Sequence, residues 1–486
     1  VLLKLSNRDT YRSLLEAAVL NADDGEQDAV IYVATGEEPL HVSRTDFRRE
    51  VARYAAALGA LNVGALDLVV IAHTQSLESI FAFWGAMTVG AIPSMFPTLT
   101  EKLDPQIYMR SMSELVALSG VRLVLTTDEP APELDSHVGC PVYGSTSLAQ
   151  VVNENGHAAD DTAVSQRAQP DPHGIAFLQH SSGTTGLQKG VALAHDAVLN
   201  QLASYSDAIA LDENDVIVSW LPLYHDMGLI AGFLLPLVQG VPLVLMSPFD
   251  WVRHPALLLK AIDAHQGTLT WLPNFAYNHM ARRVRDRDLE GVSLAGMRMY
   301  INCSEPVRQD SHDLFQQRFE PLGVRPEQLA VSYAMAENTF GVTQTPPGEL
   351  AANDIVDRGV LEEERLAVPV AADHPQALVR VSCGPTISNT AVRVLNEDGA
   401  VLPDRHVGEI AVRSDCMLSE YYRRPDLQPF QDGWYLSGDM GYLSEGEVYI
   451  IGRSKDLIIN AGKNVYPQDI EAIVNDVPGV HAGRAV

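Results

Sequence analysis

A chain of 486 residues is too long for one ordinary hydrophobic core and points to two or more domains or subdomains. Its 46% hydrophobic and 20% charged residues carry no mark of disorder, and no stretch of about 18 uninterrupted apolar residues is present to span a membrane. With 34 Lys and Arg against 62 Asp and Glu, the formal net charge is −28, a field that repels polyphosphate backbones and argues against nucleic acid as a partner.

The N-terminal stretch VLLKLSNRDTYRSLLEAAVL lacks the sustained apolar core and cleavage site of a signal peptide, and Leu14, Leu15, Ala18 and Val19 fit one face of a helix. From about residue 45, Phe47, Val51, Tyr54, Ala55 and Leu58 form a helical stripe; LDLVVIAHT then reads as a buried strand and LESIFAFWGAMTV as a helix. Strand-like runs follow at VRLVLTT, GIAFLQH, DVIVSWLP, VPLVLMS, TLTWLP and MRMYINC, many separated by helical lengths of chain. This βαβ rhythm predicts an α/β fold with mostly parallel sheets. The segment GELAANDIVDRGVLEEERLAVPVAADHPQ is long, charged and weakly periodic, and suits an exposed excursion. After about residue 378, short strands split by Asp-Gly and Gly-rich turns predict a smaller β subdomain. Cys140, Cys303, Cys383 and Cys416 form no CxxC pair, so neither zinc nor a disulfide framework is expected, and reduced cytoplasm is the expected location.

Residues 180–190, HSSGTTGLQKG, follow strand-like GIAFLQ and precede helix-like VALAHDAVLNQL, so they read as a strand-to-helix turn, a favoured place for anion capture. Gly183 and Gly186 let the backbone curl, Ser181, Ser182, Thr184 and Thr185 offer hydroxyls, and Lys189 adds a cation. On those residues alone the segment is either a phosphate cradle or a flexible turn. The pattern GxxxxGK[ST] fails, because Gln188 and Gly190 occupy its second glycine and final hydroxyl positions, which disfavours a P-loop NTPase.

HSSGTTGLQKG resembles the phosphate loop of the adenylate-forming superfamily of acyl-CoA synthetases, peptide-synthetase adenylation domains and luciferases. SYAMAEN at 332–338 is similar to that family's adenine-and-magnesium motif, YLSGDMGYL at 435–443 to its ribose motif, and GRSKDLIINAGKNVYPQDIE at 452–471 to its hinge. PLYHDMGLI, SEPVR, VSCGP and NVYPQDIE look most like fatty acyl-AMP ligases, and VDRGVLEEERLAVP resembles the insertion of that branch.

The resemblance implies a large N-terminal domain of doubly wound sheets over 1–452, with a β-barrel-like subdomain at about 378–452. A hinge at 453–457 pivoting on Asp456 follows, and a small C-terminal domain that starts at 458–486 and is incomplete. It implies ATP and Mg²⁺ as cofactors, a hydrophobic carboxylic acid as substrate, and coenzyme A or the phosphopantetheine of an acyl carrier protein as acceptor. Lys189 and the hydroxyls and amides of 181–186 would hold phosphates. Glu337 would hold Mg²⁺, otherwise being a solvated loop carboxylate. Tyr333 would lie on the adenine face or serve as core, with Ala334, Met335, Ser304 and Glu305 bordering the base. Asp439 would accept from the ribose hydroxyls, or cap its turn. Arg453 would be a second ribose or phosphate contact, or a surface ion pair, and His225 would orient the substrate carboxylate, or be structural.

Three departures from the family pattern are Gln188 for a proline, Ala334 for a glycine and Ser437 for a threonine. If the backbone at Ala334 had positive φ, the strain would favour handling a preformed acyl-adenylate. The family's far C-terminal lysine has no counterpart, which predicts poor adenylation by these residues alone. A catalytically silent nucleotide-binding homologue is the remaining alternative.

Overall fold

The computed structural model describes residues 11–20, 25–100, 103–156, 170–180, 189–456, 458–460, 463–465 and 474, which divide into two compact units. The first comprises Val1–Ala203, Asp212–Gly267 and Cys416–Leu427. Its larger sheet has seven strands in the order Glu420–Tyr421, Gly190–Ala194, Ile175–His180, Ile92–Met95, Leu68–Ala72, Val121–Thr126 and Val142–Tyr143. From Ile175–His180 to Val142–Tyr143 the neighbours run parallel, and the other edge is antiparallel. Leu68–Ala72 is buried at every residue, so LVVIA shows no polar alternation, as a strand covered on both faces requires. Leu68, Val70 and Ala72 pack with Met109, Met112 and Val116 of the helix Pro105–Ser119. Asp28–Val33 pairs antiparallel with Leu40–Ser43 and parallel with Leu243–Met246, which pairs parallel with Ile217–Ser219.

The stripe from Phe47 to Leu58 lies on the helix Arg44–Ala60, whose N-cap Ser43 accepts the Asp46 N–H. This helix packs closely on Leu77–Thr88 because Gly85 faces Tyr54: a Cβ at Gly85 would stand 2.8 Å from the Tyr54 Cβ. Leu14, Leu15, Ala18 and Val19 are buried, as the helical reading expects.

The structure corrects the reading of the loop candidate. Gly190–Ala194 is a strand, antiparallel to Ile175–His180 with His180 opposite Gly190, and the helix begins only at His195. The loop candidate therefore joins two antiparallel strands and is not a strand-to-helix turn. The run VALA has too few residues to distinguish period 2 from period 3.6.

The second unit comprises Ser204–Leu211, Thr268–Asp415 and Gln428–Val486. Leu269–Leu272, Met299–Asn302 and Leu329–Val331 form parallel pairs. After residue 378 the chain turns to antiparallel β structure, as expected: Thr390–Leu395, Gly408–Ser414 and Trp434–Ser444 lie side by side, and Trp434–Ser444 also pairs with Phe430–Gln431 and Glu447–Arg453. The charged excursion before it is folded. Asn353–Asp357 pairs antiparallel with Ala377–Val381, and the helix Arg358–Glu364 lies between them. Val356, Leu361 and Ala367 enter a core with Val407, Met440, Tyr442, Tyr449 and Ile451. Asp354, 8% exposed, receives Arg405 Nη1 at 3.0 Å and the Tyr442 hydroxyl at 2.9 Å, so its buried charge is neutralised and hydrogen-bonded.

Burial in the first unit holds His180 and His195 down to about 4. His195 Nδ1 accepts the Leu14 N–H at 3.3 Å, which only an unprotonated nitrogen can do. His195 is thus a buried anchor for residue 14. Unfolded histidines titrate near about 6.5, so between about 6.5 and 4 the unfolded chain binds protons that the folded chain refuses, and stability falls as pH drops through that window. Denaturant titrations should show about 2 kcal/mol lost per such histidine between pH 7 and 5. The slope should be shallower in His195→Gln.

Candidate active site

The segment after the strand Leu329–Val331 folds back on itself. Tyr333 N donates to Thr343 Oγ1 at 3.1 Å, Val342 N donates to the Tyr333 carbonyl at 2.8 Å, and Met335 N donates to the Phe340 carbonyl at 2.9 Å. Asn338 locks the turn, donating to the Gly341 carbonyl at 2.8 Å and accepting from the Ser414 hydroxyl at 2.5 Å. Between buried Ala336 and Asn338, Glu337 is half-exposed. Ala334 bridges Gly341 and is not in the left-handed region, so the strain considered at that position is absent.

Asp439 lies on the long strand Trp434–Ser444, directly opposite Arg453. Its Oδ2 accepts the Tyr333 hydroxyl at 2.5 Å, and its Oδ1 accepts Arg453 Nε at 3.2 Å. The approach to Asp439 is built by small polar groups: Ser437 Oγ donates to the Ile410 carbonyl at 2.7 Å and accepts the Asp439 N–H at 3.0 Å, while Gly438, at φ +74°, donates to Glu409 Oε1 at 2.9 Å. A left-handed backbone there is inexpensive only for glycine.

Asp439 is 9% exposed. Burial raises its pKa above the ordinary carboxylate range; the Tyr333 hydroxyl and Arg453 oppose that rise, and the charge of Glu337 adds to it. Burial and then the charge of Asp439 push the Tyr333 hydroxyl far above its usual value, so it remains a donor. A carboxylate has about four lone-pair sites, and among the described residues two are taken here, leaving room for two further donors.

Four sequence candidates thus come together in this unit: Tyr333, Glu337, Asp439 and Arg453. Sequence reading assigned the Tyr333 ring to a base and missed its hydroxyl, which grips a carboxylate 106 residues away. No local signal reports such a pairing. Glu409 and Thr343 were missed for the same reason. Ser304 lies at φ +69° on an exposed stretch with Glu305, whose carboxylate accepts the Phe275 N–H at 2.9 Å at the start of the helix Asn274–Arg283. That position suits a negative charge, because the first N–H groups of a helix point at it. Asp456 ends a short turn, Ser454–Asp456, after the strand Glu447–Arg453.

In the first unit, Lys189 immediately precedes Gly190–Ala194, and its ammonium lies 4.8 Å from the centroid of the Tyr421 ring. His225 is exposed, and Asp226 Oδ1 accepts the Met227 N–H at 2.7 Å as the wide helical segment Met227–Leu234 begins. Ser181, Ser182, Gly183, Thr184, Thr185 and Gly186 lie outside the described residues.

Among the described residues no cluster of three or more His, Cys, Asp or Glu could hold a metal alone. A magnesium ion fits nonetheless, because it keeps waters and takes one or two carboxylates together with phosphate oxygens. Glu337 could supply one such carboxylate, and a cation would relieve the repulsion it exerts on Asp439.

A family model described as AMP-binding enzyme matches residues 19–422. A putative ligase of Mycobacterium tuberculosis, Rv1013, is 31% identical over 93% of this chain and 83% of its own length. The medium-chain-fatty-acid–[acyl-carrier-protein] ligase JamA of Moorena producens is 31% identical over 96% of this chain and 79% of its own. Among solved structures, one from a study of fatty acyl-adenylate ligases of E. coli and L. pneumophila aligns with a TM-score of 0.90 at 27% identity, covering 98% of this chain and 85% of that one.

The turn that carries His225 depends on a close approach: a Cβ on Gly228 would meet the Pro222 carbonyl oxygen at 2.1 Å. Gly228→Ala should therefore lower the unfolding free energy by about 1–3 kcal/mol in denaturant titrations. Gly59→Ala, with nothing within 4 Å of the added carbon, should be neutral or stabilising.

Proposed function

The chain belongs to the AMP-binding enzyme family, and on that premise we propose that it is a ligase that activates a fatty-acid-like carboxylic acid with ATP and passes the acyl group to a phosphopantetheine thiol. The observation that carries this reading is the buried carboxylate of Asp439, held by Tyr333 and Arg453 with acceptor sites to spare. Two vicinal hydroxyls of a ribose are donors of matching number.

In the first step a substrate carboxylate oxygen bonds to the α-phosphorus of ATP while the bond to the β-phosphate oxygen breaks and pyrophosphate leaves. In the second, the thiol sulfur bonds to the acyl carbon, the bond to AMP breaks, and the thiol proton is lost. When bound, Mg²⁺ neutralises charge on the departing phosphates. This chain's residues position the reactants and offset charge. Asp439 and Arg453 would orient the ribose, with Tyr333 presenting its ring to the base while its hydroxyl fixes Asp439. Ser304, Glu305, Ala334 and Met335 would border the base; since the Glu305 carboxylate already caps a helix, its backbone is the group left for that task. Lys189, with Ser181, Ser182, Gly183, Thr184, Thr185 and Gly186, would hold phosphates through amides, hydroxyls and one ammonium. Glu337 would coordinate the metal, and His225 would orient the substrate carboxylate.

We assign residues 1–452 to the large domain, 453–457 to a hinge pivoting at Asp456, and 458–486 to the start of the small domain. A carrier protein is the acceptor we favour over coenzyme A, because the Moorena relative is named for one. A reducing cytoplasmic setting fits cysteines that form no disulfide, of which Cys303, Cys383 and Cys416 are buried. No helix among the described residues is long and apolar enough to cross a membrane. Handling of a preformed adenylate alone gains no support from Ala334, whose backbone is unstrained.

Mass spectrometry of the full-length protein after incubation with ATP, fatty acids of graded length and either holo-carrier protein or coenzyme A should reveal acyl-AMP and then acyl-carrier protein. Intact ATP with every acid would refute the proposal. Asp439→Asn should lower ATP–pyrophosphate exchange by about 10- to 100-fold, the scale of a lost charged hydrogen bond. Because the pKa of Asp439 is raised, the acid limb of exchange should lie above the usual carboxylate range of about 4. Tyr333→Phe removes a donor that favours the charged form and should move that limb to higher pH.

A further inference from the structure

We propose that Tyr421 is a positioning residue that holds the Lys189 ammonium ready for the nucleotide phosphates; this rests on the phosphate-binding reading of Lys189. The evidence is the register of one short strand. Glu420–Tyr421 pairs antiparallel with Gly190–Ala194, placing Tyr421 opposite Val191. Side chains alternate along a strand, so Lys189, two residues before Val191, shares its face and is the diagonal neighbour of Tyr421. The ammonium accordingly lies 4.8 Å from the Tyr421 ring centroid.

The ring is not free to drift away from this contact. Ser419 N donates to the Ala192 carbonyl at 2.9 Å and Tyr422 N donates to the Gly190 carbonyl at 2.8 Å, so backbone bonds pin the strand on both sides of Tyr421. Tyr421 itself is 5% exposed. The chain reaches this edge only through Cys416–Leu427, which belongs to the first unit although the segments on either side of it belong to the second.

A lysine is a compact charge on a flexible four-carbon stem, and ordering it for a ligand costs rotamer freedom. An aromatic face attracts the ammonium without neutralising it, leaving N–H donors directed away from the ring. A carboxylate in the same place would cancel the charge that a phosphate needs. Tyr421 thus orders the cation before the nucleotide arrives, and its effect belongs to nucleotide binding rather than to the acyl group.

The test compares Tyr421→Phe, Tyr421→pentafluorophenylalanine and Tyr421→Leu in the full chain. The fluorinated ring keeps the shape of phenylalanine but reverses its attraction for a cation, which separates positioning from packing. KM for MgATP in pyrophosphate exchange should rise about three- to tenfold for the fluorinated and Leu variants and stay within about twofold for Phe, with KM for the acid unmoved. In parallel, ¹³C-methylated lysines, assigned through Lys189→Arg, should show a ring-current shift for Lys189 that disappears in Tyr421→Leu without any nucleotide present. Equal KM values for the Phe and fluorinated variants, tighter ATP binding in the Leu variant, or no ring-current shift would each overturn the proposal. A normal shift with an unchanged KM for MgATP in Lys189→Met would instead overturn the phosphate reading of Lys189, and the proposal with it.

Discussion

A carboxylate removed from water is costly unless donors surround it, and Asp439 is nine-tenths buried. Tyr333 and Arg453 meet that cost from two directions, a fold-back after a parallel strand and the neighbouring strand of an antiparallel sheet. Nothing in stability alone demands a charge there; an apolar residue of similar size would pack as well or better. Among the described residues the arrangement holds an acceptor in place with two of its lone-pair sites uncommitted, the basis of the ribose role proposed for Asp439. The surrounding segments are themselves fixed. The turn around Glu337 is locked by Asn338, the Gly438 backbone takes the left-handed region, and Ser437 ties the bend at Asp439 to the adjacent strand.

The same unit holds a second buried charge. Asp354 meets Arg405 and the Tyr442 hydroxyl and helps to fasten the excursion to the β subdomain. Like Asp439 it accepts from one guanidinium and one tyrosine hydroxyl, but its neighbours Val356, Leu361 and Ala367 belong to a hydrophobic core.

Much of the fold was legible in the residue pattern, because strands buried on both faces are apolar throughout and turns rich in glycine separate the later β strands. LVVIA, VRLVLT and LTWL all became strands. Two segments misled for physical reasons. VALA is too short for its period to be read, so the strand beginning at Gly190 looked like the start of a helix. The excursion hides three core residues among acids, spaced so that neither strand nor helix period stands out, and its core exists only through Val407, Met440 and Tyr442 far along the chain. The site was legible by motif and illegible by contact. SGDMG pointed to Asp439, but its partnership with Tyr333 closes over 106 residues, and the stacking of Lys189 on Tyr421 depends on the pairing of strands more than 220 positions apart in sequence.

The hairpin formed by Ile175–His180 and Gly190–Ala194 has an evolutionary consequence. Its two rails are fastened at His180 and Gly190, so the entropic cost of spanning them grows only as the logarithm of the number of intervening residues, about 0.6 kcal/mol for each doubling. Insertions and deletions between the rails can therefore be sampled without dragging a helix out of register. If the hairpin holds phosphates as proposed, refitting it to another polyanion would be a matter of editing the residues between two fixed strands.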